Sequence, residues 1–282
     1  MTQQANAGVQ DLTQWIGRTQ ETTDVITHNL ARRIAVTLGA PIPESGGALP
    51  PLWHWSYFQT PDNEEELGPD GHAARGGFLP PADDRNRMWA GGDVEFLESL
   101  RIDEEATRTT TITDVREKTG RTGSLLFVTL LHELRQGGTL NIRDQQSLVY
   151  RVPAPPKLKG DEAAPPAEWE ETFRPSETML FRYSAVTFNS HRIHYDHPYV
   201  TQVEGYPGLV VHGPLLATLM CQVFANANPN ARLARLTYRG LRPLIAPEPF
   251  QVGGRVTGAG QAELWAANQD GLAHRAELRF TV

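Results

Sequence analysis

"HGPLLATLMCQVFANAN", residues 212–228, is the stretch from which the fold can be read. After Pro214 almost every residue is apolar or small, so a helix here has no face to offer water. A helix that is apolar all round is one that is buried. Pro214 suits the first helical turn, where its missing N–H leaves no bond unmade. A helix enclosed on every side needs a wrapping layer, and the surrounding chain supplies alternating strands rather than further long helices.

Working outward, those strands occur twice. "VEFLESLRIDEEATRTTTITDV" (94–115) and "LTYRGLRPLIAPEPFQVGGRV" (236–256) each hold an alternating stretch, then Leu-Arg, an acidic turn and a further strand. "GGTLNIRDQQSLVYR" (137–151) and "DGLAHRAELRFTV" (270–282) close the two halves alike, with a Gly turn, a Leu and then an Arg. "GSLLFVTLLHELRQ" (123–136) and "AELWAANQD" (262–270) complete a meander in each. Residues 23–39 place Val25, Leu30, Ile34 and Leu38 near one helical face and end at Gly39, a C-cap signal. The reading is an α+β fold, a helix wrapped by antiparallel sheet and duplicated in one chain. Between the copies, 152–171 is rich in Pro and charge and reads as an extended linker. The expected division is 11–151, a linker over 152–171, and 172–282.

Composition narrows the function. The 282 residues carry a net charge of −7 with no long Lys/Arg block, which argues against nucleic acid or an anionic membrane as the main partner. A single cysteine, Cys221, excludes an internal disulfide and a Cys-based zinc cage, and fits a reducing cytoplasm. "MTQQANAGVQ" (1–10) lacks the basic start and apolar core of a signal peptide, and runs such as "LLFVTLL" (125–131) are too short to span a bilayer. A cytoplasmic location is expected.

Chemistry concentrates in "RYSAVTFNSHRIHYDHPY" (182–199), which holds His191, His194, His197, Asp196 and Asn189. His191 and His194, spaced H-x-x-H, would share a helical face and with Asp196 or His197 suggest an open metal site. Pro198 and the β-branched neighbours argue against the long helix that such a site needs, so no metal is expected. Gly213 stands at the start of the buried helix, where backbone N–H groups lack partners and carry partial positive charge. A ligand oxygen can approach closely there because Gly has no side chain. Taken alone, His-Gly-Pro reads first as a helix cap.

Taken together, the two segments carry a resemblance. S-A-V-T-x-N-x-x-x-I-H-x-D (184–196) followed by G-L-V-V-H-G-P-L (208–215) resembles the MaoC-like (R)-specific enoyl-CoA hydratases and dehydratases. "TFNSHRIHYD", with "PLWHWSYF" (51–58) and "GGFLPPADDRNRMWAGG" (76–92), is most similar to one subgroup. That subgroup holds the mesaconyl-CoA and itaconyl-CoA hydratases and the mitochondrial type-2 hydroxyacyl-thioester dehydratases. The resemblance implies a double hot-dog fold and hydration or dehydration of an acyl thioester, with His194 catalytic and the Gly213 N–H polarising the thioester carbonyl. No cofactor is implied, since the coenzyme A or acyl-carrier arm belongs to the substrate.

One position departs from the family pattern. The family's catalytic Asp falls where this chain has Asn189, and an amide cannot accept a proton near neutral pH. Asn189 is expected to orient water by hydrogen bonding while His194 moves the proton. Substrate contacts are expected around Arg192, Tyr195, Asp196, Val211 and His212, with Arg192 the candidate partner for a carboxylate. His191, His197 and His132 read as structural or exposed. The first half lacks both motifs and reads as a degenerate copy that shapes the acyl pocket. A non-catalytic thioester-binding module and a hot-dog thioesterase are the competing functions. A homodimer or higher oligomer is compatible with the chain.

Overall fold

The buried helix sits where the sequence placed it, over Gly213–Ala227. Leu215 through Cys221, Val223 and Phe224 are all buried. At roughly 1.5–3 kcal/mol for each large apolar side chain taken from water, this segment is a main source of the fold's stability. The computed structural model describes residues 11–73, 76–82, 85–120 and 123–282; residues 1–10, read above for a leader, lie outside them.

Along the chain the elements are β1 (Thr19–Val25), α1 (His28–Leu38), β2 (Asn86–Phe96), β3 (Glu105–Gly120), β4 (Gly123–Gln136) and β5 (Thr139–Arg151). There follow β6 (Trp169–Phe173), α2 (Glu177–Val186), α3 (His197–Gln202), α4 (Gly213–Ala227), β7 (Arg232–Gly240), β8 (Phe250–Gly258), β9 (Gln261–Asn268) and β10 (Gly271–Thr281). All ten strands join one antiparallel sheet in the order β1-β3-β4-β5-β2-β7-β10-β9-β8-β6. Adding five to each label of the first half gives the second half in mirror order about the β2–β7 seam. The duplication is therefore written into the topology, and the α+β double hot-dog is what the chain forms.

The seam pairs Gly92 with Tyr238 and Val94 with Leu236. Across it Arg235 Nε lies 2.8 Å from Asp93, and Thr237 donates to the same carboxylate at 2.7 Å. α4 packs against β6, β8, β9 and β10, while α1 packs against α2. A single apolar cluster runs from Ile34 and Leu38 in α1 through Leu216 and Leu219 in α4 to Leu264 and Leu278, so the halves share one core.

Two expectations shift. The helix predicted over 23–39 begins only at His28, because 19–25 is the edge strand β1, paired with β3 from Thr19↔Thr111 to Val25↔Glu105. The β-branched Thr22, Thr23 and Val25 fit that pleated edge, and Val25 stays exposed rather than joining the helix face. At the other boundary, Trp169–Phe173 is strand β6, so the expected linker enters the sheet before its end.

The long connection from α1 to β2 crosses onto the second half. Arg192 N donates to Asp70 O at 2.9 Å, and the Ser190 hydroxyl bonds to Gly71 O. A Cβ at Gly71 would lie 2.0 Å from Ser190 O, and its φ of +87° also favours glycine. This crossing carries first-half side chains to the chemistry of the second.

Candidate active site

Local geometry places the 189–196 segment. Ser176 caps α2 by accepting from Met179 N at 3.1 Å. After the helix the chain turns at Phe188 (φ 50°), and Asn189 N donates back to Ser184 O at 2.8 Å. Asn189 Oδ1 accepts from His191 N at 3.0 Å, which fixes the side chain and leaves its Nδ2 as the donor available to a ligand. One turn over Arg192–His194 follows, and then Asp196 caps α3 by accepting from Tyr199 N at 3.1 Å.

His194 is buried, with Nδ1 2.7 Å from Val210 O. A carbonyl can only accept, so Nδ1 carries the proton and Nε2 keeps its lone pair. Burial pushes the ring's pKa down to about 4, against a smaller upward pull from the Val210 bond, so near neutral pH the ring is an uncharged base. It stacks on His212 with centroids 3.6 Å apart. His212 is itself fully buried, within 2.8 Å of Ser184 Oγ, and burial holds its pKa far below the ordinary histidine value.

His212 leads directly into α4. The first amides of a helix have no acceptor inside it, and Pro214 has no N–H, so Gly213 supplies the leading donor. A Cβ at Gly213 would sit 2.8 Å from the Trp89 ring, so only glycine fits. Trp89 stacks on Tyr238 at 4.5 Å and meets Trp55 edge-on at 5.5 Å.

Asn189, His194, Val211 and Gly213 line one cavity of about 1090 Å³. Arg192, Tyr195 and Asp196 do not line it. The Arg192 guanidinium bonds Asp196 Oδ2 at 2.9 and 2.7 Å, donates to Pro69 O at 3.0 Å and lies 4.1 Å over the Tyr199 ring. Tyr195 donates to Ser190 O at 2.9 Å and fronts a separate shallow hollow beside Phe181. His212 stands behind His194.

Two groups went unseen in the sequence. His72 and Asp70, brought in by the crossing segment, meet His191: the His72 and His191 ring centroids are 4.2 Å apart, and His72 Nδ1 lies 3.2 Å from Asp70 Oδ2. Burial opposes ionisation of Asp70, but the hydrogen bond and charge of His72 outweigh it and hold the carboxyl below its usual range. Burial, then the neighbouring His72, push the pKa of His191 far down and keep it deprotonated. One donor atom from each of Asp70, His72 and His191 lies within 4.8 Å of the others, a set with the composition to hold a divalent cation. It differs from the H-x-x-H grouping considered from sequence. His274 also closes on Gly213 and is pushed down to about 4 by burial.

The family model for hydroxyacyl-thioester dehydratase type 2 matches residues 52–246 of this chain, which contain both motifs and the Trp89 wall. The chain belongs to that family. It is 41% identical over 262 residues to the mesaconyl-C(4)-CoA hydratase of Chloroflexus aurantiacus, covering 91% of this chain and 93% of that one. It is 28% identical over 233 residues to the mitochondrial hydroxyacyl-thioester dehydratase type 2 of Schizosaccharomyces pombe, covering 73% and 77%. Among solved structures, a MaoC-like dehydratase from Phytophthora capsici shares the fold with a TM-score of 0.71 at 14% identity, over 97% of this chain and 99% of that one. As a member of the type 2 dehydratase family the chain is an enzyme of the hydro-lyase kind. Among the described residues, no helix is long and apolar enough to cross a membrane.

Proposed function

We propose that the enzyme adds water to an α,β-unsaturated acyl-CoA thioester and catalyses the reverse elimination, with mesaconyl-CoA and itaconyl-CoA as the model substrates. One observation carries this reading: an uncharged His194, its tautomer set by Val210 O at 2.7 Å, lines the same cavity as the Gly213 end of α4. The thioester carbonyl oxygen accepts from the Gly213 N–H, where negative charge develops as the β-carbon is attacked. Water is held between Asn189 Nδ2 and His194 Nε2. His194 takes one proton from it as the oxygen bonds to the β-carbon, and the π electrons move toward the carbonyl oxygen. The imidazolium then delivers that proton to the α-carbon as the carbonyl re-forms. The proton leaves and returns through one ring, so the scheme balances without a carboxylate at Asn189 and without a cofactor. The CoA arm stays on the substrate throughout.

The relatives' substrates support the choice of acyl thioester, and the Asn189 Oδ1 bond to the chain supports the choice of Nδ2 as the water donor. The test is direct assay of the purified enzyme on crotonyl-CoA, mesaconyl-CoA and itaconyl-CoA, following loss of enoyl-thioester absorbance. Activity that persists after chelation is expected. Release of free thiol without loss of the double bond would instead make the protein a thioesterase. Binding without turnover would make it a carrier of thioesters.

A further inference from the structure

The first half, which lacks the catalytic motifs, contains a buried polar cluster that the proposed chemistry leaves unused. Arg108 and Thr110 on β3, His132 on β4, and Asp144 and Gln146 on β5 share one face of the sheet. Thr110 opposes His132, and His132 opposes Asp144. His54 and Trp55, from the turn Trp53–Ser56, close over them.

These groups are deep. His54, His132 and Asp144 are at most 8% exposed. Asp144 Oδ2 is fully engaged, within 2.7 Å of Trp55 Nε1, 2.8 Å of Gln146 Nε2 and 3.4 Å of His54 Nε2. Thr110 takes up His132 Nδ1 at 2.8 Å. Arg108 spends one terminal nitrogen on Phe58 O at 2.8 Å. Three buried polar atoms are left with no partner: Arg108 Nε, His54 Nδ1 and Asp144 Oδ1. Buried polar groups are ordinarily satisfied, and of these three the guanidinium nitrogen Arg108 Nε is a donor that an anionic ligand atom would pair.

The cluster opens into the same cavity that holds His194 and Gly213. Trp55, whose indole N–H bonds Asp144, meets Trp89, the ring that walls Gly213. An acyl chain bound with its carbonyl at Gly213 therefore runs past the two indoles toward Arg108. An acyl tail ending in a methyl group would be poorly matched to this end, whereas one ending in an oxyanion would satisfy the free guanidinium donor. His54 Nδ1, also unpartnered, borders the same end of the cavity, with its Nε2 turned to Asp144.

Resting on the proposed hydratase reading, we propose that this cluster is the seat of a second carboxylate on the acyl chain. The preferred substrates are enoyl thioesters with an acidic far end, bound through Arg108 with His54 beside it.

The test compares methyl-ended enoyl-CoA esters with ω-carboxy counterparts of matching length, from crotonyl-CoA and fumaryl-CoA up to eight-carbon chains. The wild type should show a higher kcat/KM for the acidic member of at least one pair. Arg108→Gln should lower the acidic-to-methyl ratio of kcat/KM by about 10- to 100-fold, as expected for loss of a charged hydrogen bond. Arg108→Lys, which keeps the charge but not Nε, should fall between. A wild-type ratio below one at every length, or a ratio that Arg108→Gln does not change, would overturn the proposal. Should Arg108→Gln fail to fold, the wild-type series and His54→Gln decide by the same ratio. A wild type that hydrates no enoyl thioester refutes the parent reading instead.

Discussion

In the proposed mechanism His194 and Asn189 act on the same water but are held by different means, and their variants should separate accordingly. His194 is fixed by a carbonyl and a stacked ring. His194→Ala should cost about 10²–10⁴-fold in kcat, with near-native circular dichroism. A drop under tenfold would remove His194 from the proton path. In that mechanism Asn189 has two duties, because Oδ1 holds the turn through His191 N while Nδ2 donates to the water. Asn189→Ala loses both and should lower kcat by roughly tenfold or more. Asn189→Asp keeps the acceptor for His191 N, so its thermal stability should exceed that of the Ala variant while the donor is lost. Equal kcat in Asn189→Ala and wild type would end the water-positioning role.

At the scale of elements, the segment carrying Gly71 is what delivers His72 to the site. Gly71→Ala places a methyl 2.0 Å from Ser190 O in a backbone of φ +87°. A stability loss of about 1–3 kcal/mol is expected, measured by denaturant midpoint. Activity should fall further than that loss explains, because the displaced segment also buttresses Arg192. Elements differ in how far the sequence exposes them. α4 was legible because it is apolar on every side, and Gly213 because Pro214 marks the turn it begins. α2 was missed: "ETMLFRYSAV" has no clean apolar stripe, and Phe181 is 61% exposed. Residues 19–25 read as helix at their end because an edge strand is settled by pairing with β3, which no local pattern records. The same holds for function. His194 sits in a contiguous motif, whereas Asp70 and His72 reach His191 only through the crossing, and Arg108, His132 and Asp144 meet only through strand register.

For the molecule as a whole, buried histidines set a pH limit. Burial pushes His132, His194 and His274 down to about 4 from an ordinary value of 6.5. Between those values the unfolded chain binds protons that the folded chain refuses. Their contribution is therefore complete above 6.5 and is lost as the pH falls toward 4. By pH 5 the loss is roughly 2 kcal/mol for each ring. Melting temperature should decline clearly from pH 7.5 to pH 5; a flat profile would show that these rings are not buried uncharged in solution.

The seam between β2 and β7 has a consequence for descent. Because one sheet joins both copies, the second copy could keep its motif residues unchanged while the first accumulates substitutions on β3, β4 and β5, whose register places Arg108, His132 and Asp144 along the cavity. Relatives that differ mainly at Arg108, His132 and Asp144 should therefore perform one reaction on different acyl groups.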